Sequence, residues 1–184
     1  MSRRRPLSGF WRDKRGVSAV EFALIAPVMI VMYCGLAEVT QAMMAQRRLS
    51  NIASQIGDLV AQSSQVGPTK MDDVFKIGTI IMAPFPTASL KMCVASVTSD
   101  ATGKDTVTWS RASATGMTSC PAQGAVLTTV PVGVLPASQN VIMARASYNY
   151  ASPIKLVLPG SITFQRTFYL RPRKVESVTW SASS

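Results

Sequence analysis

The chain has 184 residues, 47% hydrophobic and 15% charged, with mean hydropathy +0.21 and a formal charge of +10. It contains no histidine, which removes histidine-based acid–base catalysis, the usual Ser/His and Cys/His nucleophile pairs and most zinc sites. Five of the ten net charges fall in residues 1–16, and no stacking platform or binding motif accompanies the rest, so the basicity does not point to nucleic acid.

Residues 1–16 hold Arg3, Arg4, Arg5, Arg12, Lys14 and Arg15 against the single acid Asp13. A cationic patch just before an apolar run stays on the cytoplasmic side during insertion, which gives Arg12, Lys14 and Arg15 the role of setting topology. Residues 17–37 follow with Glu21 as their one formal charge, and about 20 apolar helical residues span a bilayer core. A secretory signal peptide is the rival reading: Gly35-Leu36-Ala37 offers small residues for a cut that leaves a soluble chain starting near Glu38. Its apolar region is usually shorter, however, and carries no carboxylate. Cys34 follows the bulky Tyr33, which lipoprotein processing does not accept, so it reads as an apolar residue of the helix.

Glu21 is the informative residue, because an acid within a membrane segment costs roughly 2.5 to 3.5 kcal/mol on insertion scales unless it is paired. Snorkelling toward headgroups is the bland alternative. Gly16 sharpens the choice: a small residue after Lys14-Arg15, with Glu21 five positions on in an apolar run, is a prepilin-like processing signal. A cut between Gly16 and Val17 frees an amine on Val17, and four helical residues put Glu21 about 6 Å along the axis, in reach of that amine on a neighbouring subunit. Pro27 lacks an N–H and is expected to kink or loosen the helix, or to be tolerated with neighbouring groups supplying partners.

The stretch Arg15-Gly16-Val17-Ser18-Ala19-Val20-Glu21-Phe22-Ala23-Leu24-Ile25-Ala26-Pro27 resembles the N-terminus of TadE-like proteins, minor pseudopilins of the tight-adherence (Tad/Flp) pilus. The resemblance implies that a prepilin peptidase cuts after Gly16 and that Glu21 supports recognition or assembly. Tyr148-Asn149-Tyr150, Leu158-Pro159-Gly160 and Arg171-Pro172-Arg173 are similar to the family's closing pattern. The chain's length, and Phe22 where major pilins commonly carry Tyr, favour a minor subunit.

Beyond the membrane run, Val39, Met43, Leu49, Ile52, Ile56 and Val60 recur at helical spacing, so one helix is expected over residues 17–65, with Gly57 a mild weakness. Residues 63–68 read as a turn. A second helix is expected with Thr69 as its cap, Asp72 and Asp73 in its first turn, and Val74, Phe75, Ile77, Ile80 and Ile81 as apolar positions, ending at Pro84-Phe85-Pro86. Four antiparallel strands are expected over residues 90–98, 106–111, 141–150 and 161–170. In the last, Ile162, Phe164, Phe168 and Leu170 share a face that Arg166 interrupts. Residues 113–139, with Pro121, Gly124, Pro131, Gly133 and Pro136, are expected to form a long ordered loop with at most one short strand.

Cys93 and Cys120 form a possible disulfide, with two separately buried thiols as the alternative. Asp72 and Asp73 lack calcium-loop spacing, and Asp100, Gly103 and Asp105 are turn residues, so no metal or cofactor is expected.

These readings combine into an α+β, pilin-like chain in which a long membrane-spanning N-terminal helix packs on a small antiparallel sheet. Its expected parts are a cytoplasmic basic leader (1–16), a transmembrane helix continuing into an amphipathic one (17–65), and an extracytoplasmic domain (66–184). Such a chain sits in a bacterial inner membrane with its domain in the periplasm and is not an enzyme. It partners the bilayer, a prepilin peptidase, other pilin or pseudopilin subunits and the pilus assembly machinery, reaches surface adhesion through them, and binds no nucleic acid. The alternative is a periplasmic binding module on an uncleaved anchor.

Overall fold

The computed structural model describes residues 15–113, 117 and 119–182. Helix α1, Arg15–Ala61, runs for 47 residues, about 70 Å at 1.5 Å per residue. Pro27 lies inside it without ending it. Strand β1 is Gln65–Val66, helix α2 Pro68–Met82, and strands β2 to β6 are Leu90–Ser99, Asp105–Ala112, Asn140–Ala151, Ser161–Leu170 and Thr179–Trp180. The main sheet has the order β3-β2-β4-β5 and is antiparallel throughout, so the chain is α+β with a long apolar helix against a small antiparallel sheet.

The lower part of α1, residues 16–33, stands clear of the other described elements. An 18-residue window of it reaches mean hydropathy 2.0 with none of that window buried, and it is long and apolar enough to cross a membrane. The upper half lies on the sheet. Its buried stripe is Glu38, Ala42, Ala45, Leu49, Ile52, Ala53, Ile56 and Val60, an unbroken three-four spacing. Val39 and Met43, expected in that stripe, are exposed instead, and Ala42 and Ala45 take the buried positions at this level. At Gly57 helix and sheet lie close together: a Cβ there would be 2.8 Å from the Ala144 Cβ.

Three further expectations are corrected. First, α1 ends at Ala61, and residues 65–66 are not part of a turn but pair in parallel with β6, Gln65 with Thr179 and Val66 with Trp180. Second, α2 starts at Pro68 with Gly67 as an N-cap that makes no side-chain bond, so Thr69 does not cap it and Asp72 and Asp73 fall beyond the first turn. Proline fits that first position because its missing N–H would have no partner there. Third, α2 buries Met71, Val74, Phe75, Gly78 and Met82, which turns Ile80 out at 72% exposure and leaves Ile77 at the margin. Arg166, expected to interrupt the apolar face of β5, does so: it is exposed between the half-buried Phe164 and Phe168 on this edge strand.

Two apolar layers flank the sheet. Toward the helices lie Met92 and Val94 of β2, Ile142, Ala144, Ala146, Tyr148 and Tyr150 of β4, and the half-buried Phe164, Phe168 and Leu170 of β5. On the far face Cys93, Ala95, Val97, Val141 and Met143 are covered by Met117, Cys120, Leu127 and Leu135 from the long connection. Among its described residues that connection contributes one isolated bridge, Val126 to Thr106, rather than a strand. A register shift at Ser96/Val97 pairs Ser96 with Trp109 and Val97 with Val107, so Trp109 enters the helix-side layer and Val107 the other. The Cys93–Cys120 disulfide, with Cα atoms 5.6 Å apart, staples the long connection to β2.

Candidate functional site

The residues singled out near the start of the chain lie on the free part of α1. Gly16 has open space around it, and Val17, Glu21 and Phe22 are exposed. Val17 and Glu21 share a face one turn apart, and among the described residues Glu21 has no hydrogen-bond or ion-pair partner. Arg12 and Lys14 lie outside the described residues, and Arg15 is the first residue of α1. Val20, Phe22, Leu24, Ile25, Val28, Ile30, Met32, Tyr33 and Leu36 leave this shaft with an apolar surface on all sides. A helix apolar all round needs lipid or other helices as its solvent.

The sheet takes over at the end of that run, through Glu38. Its side chain is fully buried, and its two oxygens accept four hydrogen bonds from the β4–β5 connection. Oε1 accepts from Ser152 Oγ at 2.8 Å and Leu156 N–H at 2.8 Å. Oε2 accepts from Val157 N–H at 2.7 Å and Leu158 N–H at 2.9 Å. The Ser152 oxygen in turn accepts from the N–H groups of Ile154 at 3.3 Å and Lys155 at 3.4 Å. Burial pushes the Glu38 carboxyl up, but the donors Leu156, Leu158, Val157 and Ser152 outweigh it and bring it from 4.5 down to about 2. The charge is balanced by three oriented N–H dipoles and the Ser152 hydroxyl, with no cation in contact among the described residues.

Sequence reasoning missed this residue, treating it only as the first position past the apolar run. Its phase was the available signal: Glu38 stands four residues before Ala42 in the buried stripe, where a charge has to find partners.

The far-end motifs each bear on α1. Arg173 donates its N–H to the Ala61 carbonyl at 2.9 Å and pairs with Asp58 at 2.5 Å, closing the upper end of the helix. Leu158 supplies one arm of the Glu38 cradle. Tyr148 and Tyr150 are buried beside α1, the latter 6.1 Å edge-on from Phe85, and both line an open groove of about 690 Å³ with Gln41, Met44 and Pro153. Trp109 Nε1 donates to the Val178 carbonyl at 2.7 Å and so holds the last segment against the sheet.

The family model of TadE-like proteins matches residues 16–57, which takes in the exposed shaft, Glu38 and the buried stripe as far as Gly57. The far-end motifs lie outside the matched residues. No curated protein and no solved structure gave a significant match.

Proposed function

Taking residues 16–57 as a TadE-like segment, and with it an involvement in Tad pilus systems, we propose that the chain is a minor pseudopilin-like subunit of a Tad/Flp-type pilus. It inserts with Arg12, Lys14 and Arg15 on the cytoplasmic side of the inner membrane and its sheet in the periplasm. A prepilin peptidase cuts between Gly16 and Val17, and the inner-membrane machinery then moves the apolar helix from lipid into a bundle of pilin or pseudopilin helices. The role is assembly or initiation of the pilus, upstream of surface adhesion, and not catalysis.

The observation that carries this reading is the exposed shaft with an unpartnered acid near its start. Glu21 would cost about 2.5 to 3.5 kcal/mol in a bilayer if left alone, and the Val17 amine made by the cut is the cation one turn away. Phe22 beside it adds apolar surface for a neighbouring helix. Mass spectrometry of the mature protein tests the processing: a chain beginning at Val17 is expected, and an intact start near Met1 overturns it in favour of a binding module on a permanent anchor. A secreted form beginning near Glu38 is the third outcome of the same measurement, and it too overturns the processing.

A further inference from the structure

The β4–β5 connection, residues 152–160, reaches down the side of α1 rather than stopping at the domain's edge. A Cβ built on Gly35 would lie 2.9 Å from Val157 Cγ2, so the connection touches the helix within its apolar run of residues 17–37. Its tip is apolar and outward-facing: Ile154 is 45% exposed, Leu156 48% and Val157 49%, with exposed Lys155 among them.

Five successive N–H groups of this tip, from residue 154 to residue 158, are satisfied by two side chains, Ser152 and Glu38. A loop that lies in water does not need that provision, since water serves its amides. A loop at the edge of a bilayer does, because each unpaired amide there costs several kcal/mol.

We propose that residues 154–157 form a membrane-surface contact, with Ile154, Leu156 and Val157 entering the headgroup–acyl boundary and Lys155 meeting lipid phosphate. The contact rests on the reading of residues 17–37 as a bilayer-spanning segment and adds a second point of attachment to it. Position argues for lipid over protein: the tip is fixed beside the last turns of the anchor, so its apolar surface continues the anchor's own. The lysine's long stem lies along apolar surface while its ammonium reaches the phosphate plane. With the loop seated, the helix can neither sink nor rise freely, and the sheet is held at one height above the bilayer.

The test uses the full chain with Cys34→Ala, reconstituted in phosphatidylcholine and phosphatidylglycerol vesicles, with a single cysteine labelled by an environment-sensitive fluorophore. Leu156→Cys probes the tip, Ile30→Cys the shaft, and Val132→Cys a fully exposed site in the connection at the far end of the sheet. Residue 140, at that far end of β4, is about 36 Å along the strand from residue 151. Shallow doxyl-labelled lipid is expected to quench the probes at 30 and 156 and to leave that at 132 bright. Quenching at 30 with 156 as bright as 132 overturns the loop contact alone. An unquenched probe at 30 overturns the anchor reading and the contact with it. A blue-shifted probe at 156 that lipid does not quench means protein covers the tip, which also overturns the contact.

Discussion

Gly57→Ala sets two known effects against each other where α1 crosses the sheet. Alanine in a helix interior is about 0.8–1.0 kcal/mol better than glycine, so on an exposed helix the change would stabilise. Here the new Cβ would lie 2.5 Å from Leu170 Cδ1 and 2.8 Å from Ala144 Cβ, well inside carbon–carbon contact. Leu170 is half-buried at the end of the edge strand β5 and its methyl can swing away. Ala144 cannot, since it sits on β4 between β2 and β5 and has no side-chain torsion to relieve the clash. Overpacking of this kind costs about 1–3 kcal/mol, so after the helix gain the net is a loss of about 1 kcal/mol, or about 4 °C in Tm. Thermal unfolding of the full chain in detergent, followed by circular dichroism, reads it. Ala144→Gly by itself costs about 0.5–1 kcal/mol in a strand, but added to Gly57→Ala it should cost less than that, a favourable coupling in the double-mutant cycle. A Gly57→Ala variant as stable as the parent, or a double mutant whose losses simply add, refutes the reasoning.

Glu38 makes the stability of the domain acid-sensitive. Its carboxyl titrates at about 2 when folded against 4.5 ordinarily, so between those values the unfolded chain binds more protons and stability falls as pH drops through that window. Glu38→Gln should flatten that part of the Tm–pH profile, and a profile unchanged by the substitution would count against the cradle. Removing the Cys93–Cys120 bridge, whose sequence separation is 27, should cost about 3.5 kcal/mol by loop-closure entropy, read as a lower urea midpoint for Cys93→Ser/Cys120→Ser; equal midpoints would contradict it. Glu21→Gln is expected to slow cleavage after Gly16 or incorporation into pili, and normal rates of both would leave the carboxylate–amine pairing without a basis.

Local pattern carried much of the architecture into the sequence. The four main strands begin and end within a residue or two of where β-branched and aromatic runs place them, because alternation and turn residues act over a few positions. The lower α1 stripe runs through Ala42 and Ala45, which are less apolar than the exposed Val39 and Met43, so hydropathy alone points to the wrong pair. β2 is buried on both faces because the connection over residues 113–139 folds back across it, which no period along β2 announces. The β1–β6 pair joins segments over a hundred residues apart and is too short to show in composition. Gly16, Val17 and Glu21 could be picked out because their spacing is itself the signal. The phase of Glu38 marks it as a charge in need of partners but does not name them, since its donors lie 114 to 120 positions away.

That separation also imposes an order of events. If residues 17–37 enter the bilayer as they are made, Glu38 emerges with none of its partners, and it stays hydrated at the surface until residue 158 has followed it across. Contacts this distant in sequence form late, after the loop-closure entropy between them has been overcome. The helix therefore enters first and is fixed in depth only when the β4–β5 connection closes on the carboxylate. A chain stalled or clipped before that point would hold its anchor without the cradle that ties Glu38 to the domain.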